Sequence, residues 1–208
     1  MADRPEIVTP LFPLGMVAVP GEVVPLHIFE PRYRAMVADC LEQDMSFAIV
    51  AAGEEGVEPI GCTMAVTEVL ERFDDGRLNI LTQGRLPVRV VEEIHDRPYP
   101  AAIVEVLDDT DELPDGEAAR RTRDAYAELV LEASERAIDP EDLALMSAYE
   151  MAATVELGPE IKQQLLVLRS EIARMRLLGR ILLAALKRLD YLERAEVRAS
   201  SNGVVRFG

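Results

Sequence analysis

The 208-residue chain has no Trp, two His, two Cys and only two Lys, Lys162 and Lys187, among 22 basic residues. Each scarcity excludes a kind of chemistry. Cys40 and Cys62 are too few for a disulfide scaffold and form no CxxC pair. Two isolated histidines make no HExxH or comparable spacing, so no metal site and no cofactor is expected. A Walker A loop, GxxxxGK[ST], needs a Lys directly after Gly, but Lys162 follows Ile161 and Lys187 follows Leu186. Long apolar runs are missing too. The uncharged stretch from Ile7 to Gly21 is interrupted by Pro10, Pro13 and Pro20, and LLGRILLAAL contains Arg180. Both are too short to span a bilayer, and MADRPE lacks the basic start of a secretory signal. A soluble, cytoplasmic protein is expected. Positive charge is in deficit, with 38 acidic residues and a net charge of −16. Such a chain is repelled by nucleic acid and anionic lipid, so neither is expected as a partner.

What is present divides near residue 110. Residues 1–110 hold ten of the thirteen prolines and seven of the twelve glycines. Their apolar residues fall in short runs bounded by Gly, Pro and Asp, which reads as strands. The runs are Ser46–Ala52, Gly61–Phe73, Arg77–Gln83, Leu86–Ile94 and Ala101–Leu107. Asp74-Asp75-Gly76 marks a hairpin, and Gly84 bounds the run after it. One helix is expected from Pro31, with Tyr33, Met36, Val37, Cys40 and Leu41 recurring at helical spacing on its apolar face.

Residues 111–208 have helical periodicity. A first segment carries Ala118, Tyr126, Leu129, Val130 and Ala133. Asp139-Pro140 starts a second helix, with Asp as N-cap and Pro at the first position, ending near Gly158-Pro159. A third begins there and carries Ile161, Leu165, Leu168, Ile172 and Met175, continued by Leu178, Leu182, Leu186 and Leu189, with Gly179 as a bend. The acidic stretch 108–117 reads as a linker and Ala199–Gly208 as a frayed tail. Residues 161–208 carry a net +6 and residues 1–160 a net −22, so the last helix is expected to pair with acidic neighbours.

Residues 11–41 read LFPLGMVAVPGEVVPLHIFEPRYRAMVADCL. They resemble the N-terminal substrate-binding domain of the Lon protease family. The elements carrying the resemblance are Pro13-Leu14, the turn Pro20-Gly21, and Pro25 to Arg34, PLHIFEPRYR, leading into a helix. Ile60-Gly61-Cys62, Asp75-Gly76-Arg77, Gly84-Arg85 and Glu160–Leu166 fit further stretches of the family's pattern. The resemblance covers residues 8–190 and implies an α+β fold. Its N-terminal part is a β-rich, PUA-like pseudo-barrel, and an α-helical bundle with a long C-terminal helix follows. Residues 1–110 would form the β-rich subdomain with its one helix, 111–198 the helical subdomain and 199–208 a flexible tail.

The family's full-length members add an ATPase module and a Ser–Lys peptidase module. Without a P-loop, and with both lysines expected on solvated helix faces, the chain resembles a stand-alone substrate-binding domain and not an enzyme. Its implied partners are unfolded or specific client proteins or peptides. Met16, His27, Phe29, Arg32 and Tyr33 are the candidate peptide-binding residues. A plainer role stands beside each: Phe29 in the core, Tyr33 as a cover, Glu30, Arg32 and Arg34 as a polar cluster, and His27 as a hydrogen-bonded strand residue. Cys40 and Cys62 read as buried small hydrophobes rather than nucleophiles. Met146 and Met151 add little, because Met at helical spacing usually packs in a core. Two other functions stay open: a small ATP-independent hydrolase or peptidase, and a homodimeric adaptor assembled through the stripe Ile161–Leu189. Oligomeric state is not decided by the sequence.

Overall fold

A computed structural model describes residues 7–53, 56–110 and 116–202, with the side chains of 193 and 196–202 outside the description. Its strands are β1 (Ile7–Leu14), β2 (Val23–Ile28), β3 (Phe47–Gly53), β4 (Gly56–Val57), β5 (Ile60–Arg72), β6 (Leu78–Ile94) and β7 (Ala101–Val106). Its helices are α1 (Pro31–Gln43), α2 (Gly116–Ser134), α3 (Pro140–Leu145), α4 (Ala148–Ala152), α5 (Pro159–Val167) and α6 (Glu171–Asn202). The fold is α+β, with a mixed sheet and a long last helix.

The sheet closes on itself. Its hydrogen-bonded order is β1-β7-β6-β5-β3, and β3 returns to β1 as a parallel neighbour, with Leu11 opposite Ala48 and Pro13 opposite Val50. A parallel pair needs a crossover, which α1 supplies between β2 and β3. The interior holds Leu11, Ala48, Val50, Val88, Ala102 and Val104. On the α1 side, Phe12 of β1 lies 4.2 Å from the Tyr33 ring of α1 and 5.9 Å from the Phe47 ring of β3. α1 buries Tyr33, Met36, Val37 and Cys40 there, four of the five residues its periodicity predicts, while Leu41 near the helix end stays exposed.

Two strand runs that sequence reading separates at Gly84 are one 17-residue strand, β6. Gly84 is a place of close approach, not a boundary. A Cβ there would collide with the Val19 carbonyl, because the Pro20-Gly21 turn lies directly on it. Gly21 N–H donates to Gly84 O at 2.9 Å, and Gly84 N–H donates to Glu22 O at 2.9 Å. Gly21 has φ +84°, a conformation that side chains resist.

The chain divides into two compact units: Met1–Asp111 with Tyr149–Ser170, and Glu112–Ala148 with Glu171–Gly208. Tyr149–Ser170 therefore groups with the strands and not with the other helices. Met151, Ala152, Leu165 and Leu166 are fully buried. Polar ties add to this: Gln163 Nε2 donates to Ile60 O at 3.0 Å, and Arg169 Nε donates to Asp108 O at 2.6 Å. Lys162, expected to be solvated, instead pairs with Glu22 at 2.5 Å with only 13% of its side chain exposed. Glu22 also accepts the Val19 N–H at 3.1 Å, so one carboxylate holds both the Pro-Gly turn and α5.

In the second unit α2 packs on α6. Thr122 of α2 donates to Met175 O at 2.8 Å. Gly179 lies within continuous α6, where a Cβ would strike Thr122 Oγ1, so it permits contact rather than a bend. The helix break falls earlier, at 168–170, and divides the expected single third helix into α5 and α6. The expected second helix is likewise two short ones, α3 and α4; Asp139 does cap α3, accepting Glu141 N–H at 2.8 Å. Leu178, Leu182 and Leu186 are buried within the chain, so this stripe is not free to form a coiled-coil seam. Of the expected tail, 199–202 continue α6 and 203–208 lie outside the described residues, as do 111–115 of the expected linker. Among the described residues no helix is long and apolar enough to cross a membrane.

The Glu22–Lys162 pair lies between the surface and buried cases. Lys162→Ala leaves the Glu22 carboxylate half-enclosed without its cation, which should cost about 1–3 kcal/mol. Chemical denaturation checks this, and Lys187→Ala, on the exposed side of α6, should change stability by less than about 0.5 kcal/mol.

Candidate functional site

β2 hydrogen-bonds to β6, with Val23 opposite Gln83, Pro25 opposite Leu81 and His27 opposite Asn79, and pairs with no other described strand. It is thus an edge strand, where a Pro is tolerated because its missing N–H need not join the ladder. Alternation buries Val24 and Ile28 and turns Val23, Pro25 and His27 outward. Pro31 then ends the strand. It holds Glu30 extended, at φ −67° and ψ 135°, and starts α1. This corner leaves Phe29 outside, 59% exposed.

On this face three strands align one polar residue each. His27 Nδ1 lies 2.6 Å from Asn79 Oδ1, and Asn79 Nδ2 donates to Glu71 Oε2 at 2.9 Å. An amide oxygen only accepts, so His27 Nδ1 is the donor in this contact. The His27 ring stacks with Phe29 at 5.9 Å and meets Phe73 edge-on at 6.0 Å. Beside it is an open hollow of about 590 Å³. Pro25, Leu26, Leu70 and Ile80 supply its apolar lining, and His27, Asn79 and Glu71 its polar groups.

The β5–β6 hairpin closes one end of the face. Gly76 N–H donates to Phe73 O at 2.9 Å, and Gly76 has φ +84°. Arg77 lies over the Phe73 ring at 5.0 Å and pairs with Asp75 at 2.7 Å. The Arg77 backbone N–H is the main cause that lowers the Asp75 carboxyl's pKa; the Arg77 guanidinium adds to it. Arg34 rests on Gly76, where a Cβ would collide with its guanidinium.

The five candidate residues separate. His27 and Phe29 stand together on the exposed face. Arg32 is adjacent, paired with Glu30 at 2.9 Å and placed 4.5 Å from the Tyr33 ring centre. Tyr33 is 5% exposed and packs on Phe12, so it belongs to the core and not to the surface. Phe29, the plain candidate for the core, is the exposed one: Pro31 starts the helix before Phe29 can turn inward. Met16 is half-buried in the loop after β1, away from the hollow's lining. Leu70, Glu71, Phe73 and Asn79 were missed as site residues. Counting outward from Asp75-Gly76 pairs Glu71 with Asn79, but nothing local in the sequence lays β2 beside them.

The family model of the ATP-dependent protease La (LON) substrate-binding domain matches residues 8–184, and the chain belongs to that family. It is 26% identical over 202 residues to the Lon protease of Anaeromyxobacter dehalogenans, covering 86% of this chain and 23% of that protein. It is 27% identical over 116 residues to Lon protease 2 of Myxococcus xanthus, covering 51% of this chain and 14% of that one. The chain thus spans less than a quarter of the length of these relatives. The Lon N-terminal domain protein from Xanthomonas campestris superposes with a TM-score of 0.63 at 22% identity, covering 81% of this chain and 95% of that one. The N-terminal domain of the Mycobacterium avium complex Lon protease gives 0.60 at 19%, covering 83% and 96%.

Both cysteines are buried. Burial is the main cause pushing the Cys40 thiol up to about 11, with Asp39 adding to it. Burial likewise pushes Cys62 up to about 12, against an opposing backbone hydrogen bond from Arg85. Both are protonated at neutral pH and unsuited to nucleophilic attack. Among the described residues no group of three or more His, Cys, Asp or Glu is placed to hold a metal ion. A thiol reagent at pH 7 should therefore label the native protein far more slowly than free cysteine, and both thiols should react once denaturant is added. Fast labelling of the folded protein at either position contradicts this placement.

Proposed function

We propose that the chain binds an extended apolar segment of a client polypeptide on the β2–β6–β5 face and performs no chemistry on it. The observation that carries this reading is Phe29. A large aromatic 59% exposed at a Pro-fixed corner, stacked with His27 beside the hollow, is open to contact by another chain. Val23 at 53% and Leu70 at 52% extend the exposed apolar surface along the same sheet. Membership of a substrate-binding family supports the reading. So does the outer edge of β2, which pairs with no described strand and offers alternate backbone groups to an incoming one, with one donor missing at Pro25.

Rigid support suits such a role. Phe29 is held between a strand paired along its whole length and a helix fixed at Pro31, so little ordering is left for the moment of binding. The −22 carried by residues 1–160 favours encounter with basic clients at low salt. Burial of both cysteine thiols also favours binding over a hydrolase built on either of them.

Fluorescence anisotropy with labelled peptides from denatured proteins tests the proposal. Saturable binding is expected. Phe29→Ser should weaken it about tenfold, the size of a contact worth somewhat over 1 kcal/mol, with no loss of thermal stability. No saturable binding to any peptide or denatured protein, or an unaltered affinity in Phe29→Ser, overturns it. Tyr33→Ala serves as a contrast, because it should lower stability through loss of the Phe12 contact.

A further inference from the structure

We infer that the hollow beside His27 takes a Lys or Arg side chain of the bound segment, with Glu71 as its counter-ion. This rests on the peptide-binding reading above and names the residue type that the site selects. The walls at Pro25, Leu26 and Leu70 are aliphatic, which suits the methylene stem of a long cationic side chain. At the edge of those walls stands one carboxylate, Glu71, whose hydrogen-bond partner is the neutral amide of Asn79. No described cation lies in salt-bridge contact with it. Arg77 is engaged with Asp75 and Phe73, and Arg32 with Glu30 and Tyr33.

The remaining polar groups point the same way. The Asn79 amide, held by His27 Nδ1 on one side, donates to Glu71 on the other and so fixes that carboxylate at the edge of the hollow. A fixed carboxylate beside an aliphatic wall suits a donor-rich cation on a long apolar stem. A neutral apolar side chain in the same hollow would cover Glu71 without pairing it, which is unfavourable, and an acidic one would repel it.

Matched peptides test this: one apolar-aromatic sequence with Lys, Arg, norleucine or Glu at its central position, titrated at low salt. Lys and Arg should bind about tenfold more tightly than norleucine, and Glu most weakly. Glu71→Gln keeps an acceptor for Asn79 and should bring the Lys-to-norleucine ratio close to one. Glu68→Gln, a neighbouring carboxylate of β5 outside the hollow, should leave that ratio as it is, which separates a specific pair from overall charge. Thermal unfolding shows that both variants are folded. Equal binding of Lys and norleucine by the native chain, or a preference that survives Glu71→Gln, overturns this inference while leaving peptide binding intact. Failure of all four peptides to bind overturns both.

Discussion

Closure of the barrel through the parallel pairing of β1 with β3 is the constraint on which the strand-rich unit depends. A parallel neighbour cannot be reached by a tight turn, so the chain must leave β1, cross, and return. It does so through β2 and α1, and the Phe12–Tyr33–Phe47 contacts lock strand, helix and strand together. Two consequences follow. β2 is laid on the outside of β6 and pairs with no other described strand, and the strand-to-helix corner at Phe29–Pro31 is pushed to the surface. The surface that the candidate site uses is a by-product of closing the ring.

A second fastening works at the opposite end of the motif. The Pro20-Gly21 turn sits on Gly84 with no room for a side chain, and Glu22 reaches Lys162 on α5. One short stretch, 19–22, therefore touches a strand and a helix far apart in sequence. The buried side chains of α4 and α5 hold Tyr149–Ser170 to the strands. In the other unit, close approach at Gly179 lets α2 and α6 share a buried seam. Glycine thus acts in both units by what it leaves out.

Local elements were readable because their causes are local. Asp-Gly at 75–76 makes its hairpin through a positive φ and an Asp side chain that accepts the Arg77 N–H. The Tyr33-Met36-Val37-Cys40 spacing makes one buried face, and Asp139 caps its helix. Errors fell where distant contacts decided. Gly84 resembles a break, but its neighbours are across the sheet in the 19–22 turn. Lys162 resembles a surface residue, but its partner lies 140 positions away. Phe29 and Tyr33 exchanged expected roles because helix phase, set by Pro31, points Tyr33 at Phe12 and leaves Phe29 outside.

The sequence by itself determined the β-rich and helical segments, the hairpin, the first helix, the family motif and the missing P-loop. These depend on residue type and short spacing. Tertiary structure alone decided that the strands form a closed ring, that Tyr149–Ser170 joins them, and that His27, Asn79 and Glu71 make one hydrogen-bonded line. That line crosses three strands whose order is not sequential. Strand order follows from which faces can be buried together, a property of the assembled core, and no local signal at His27 carries it.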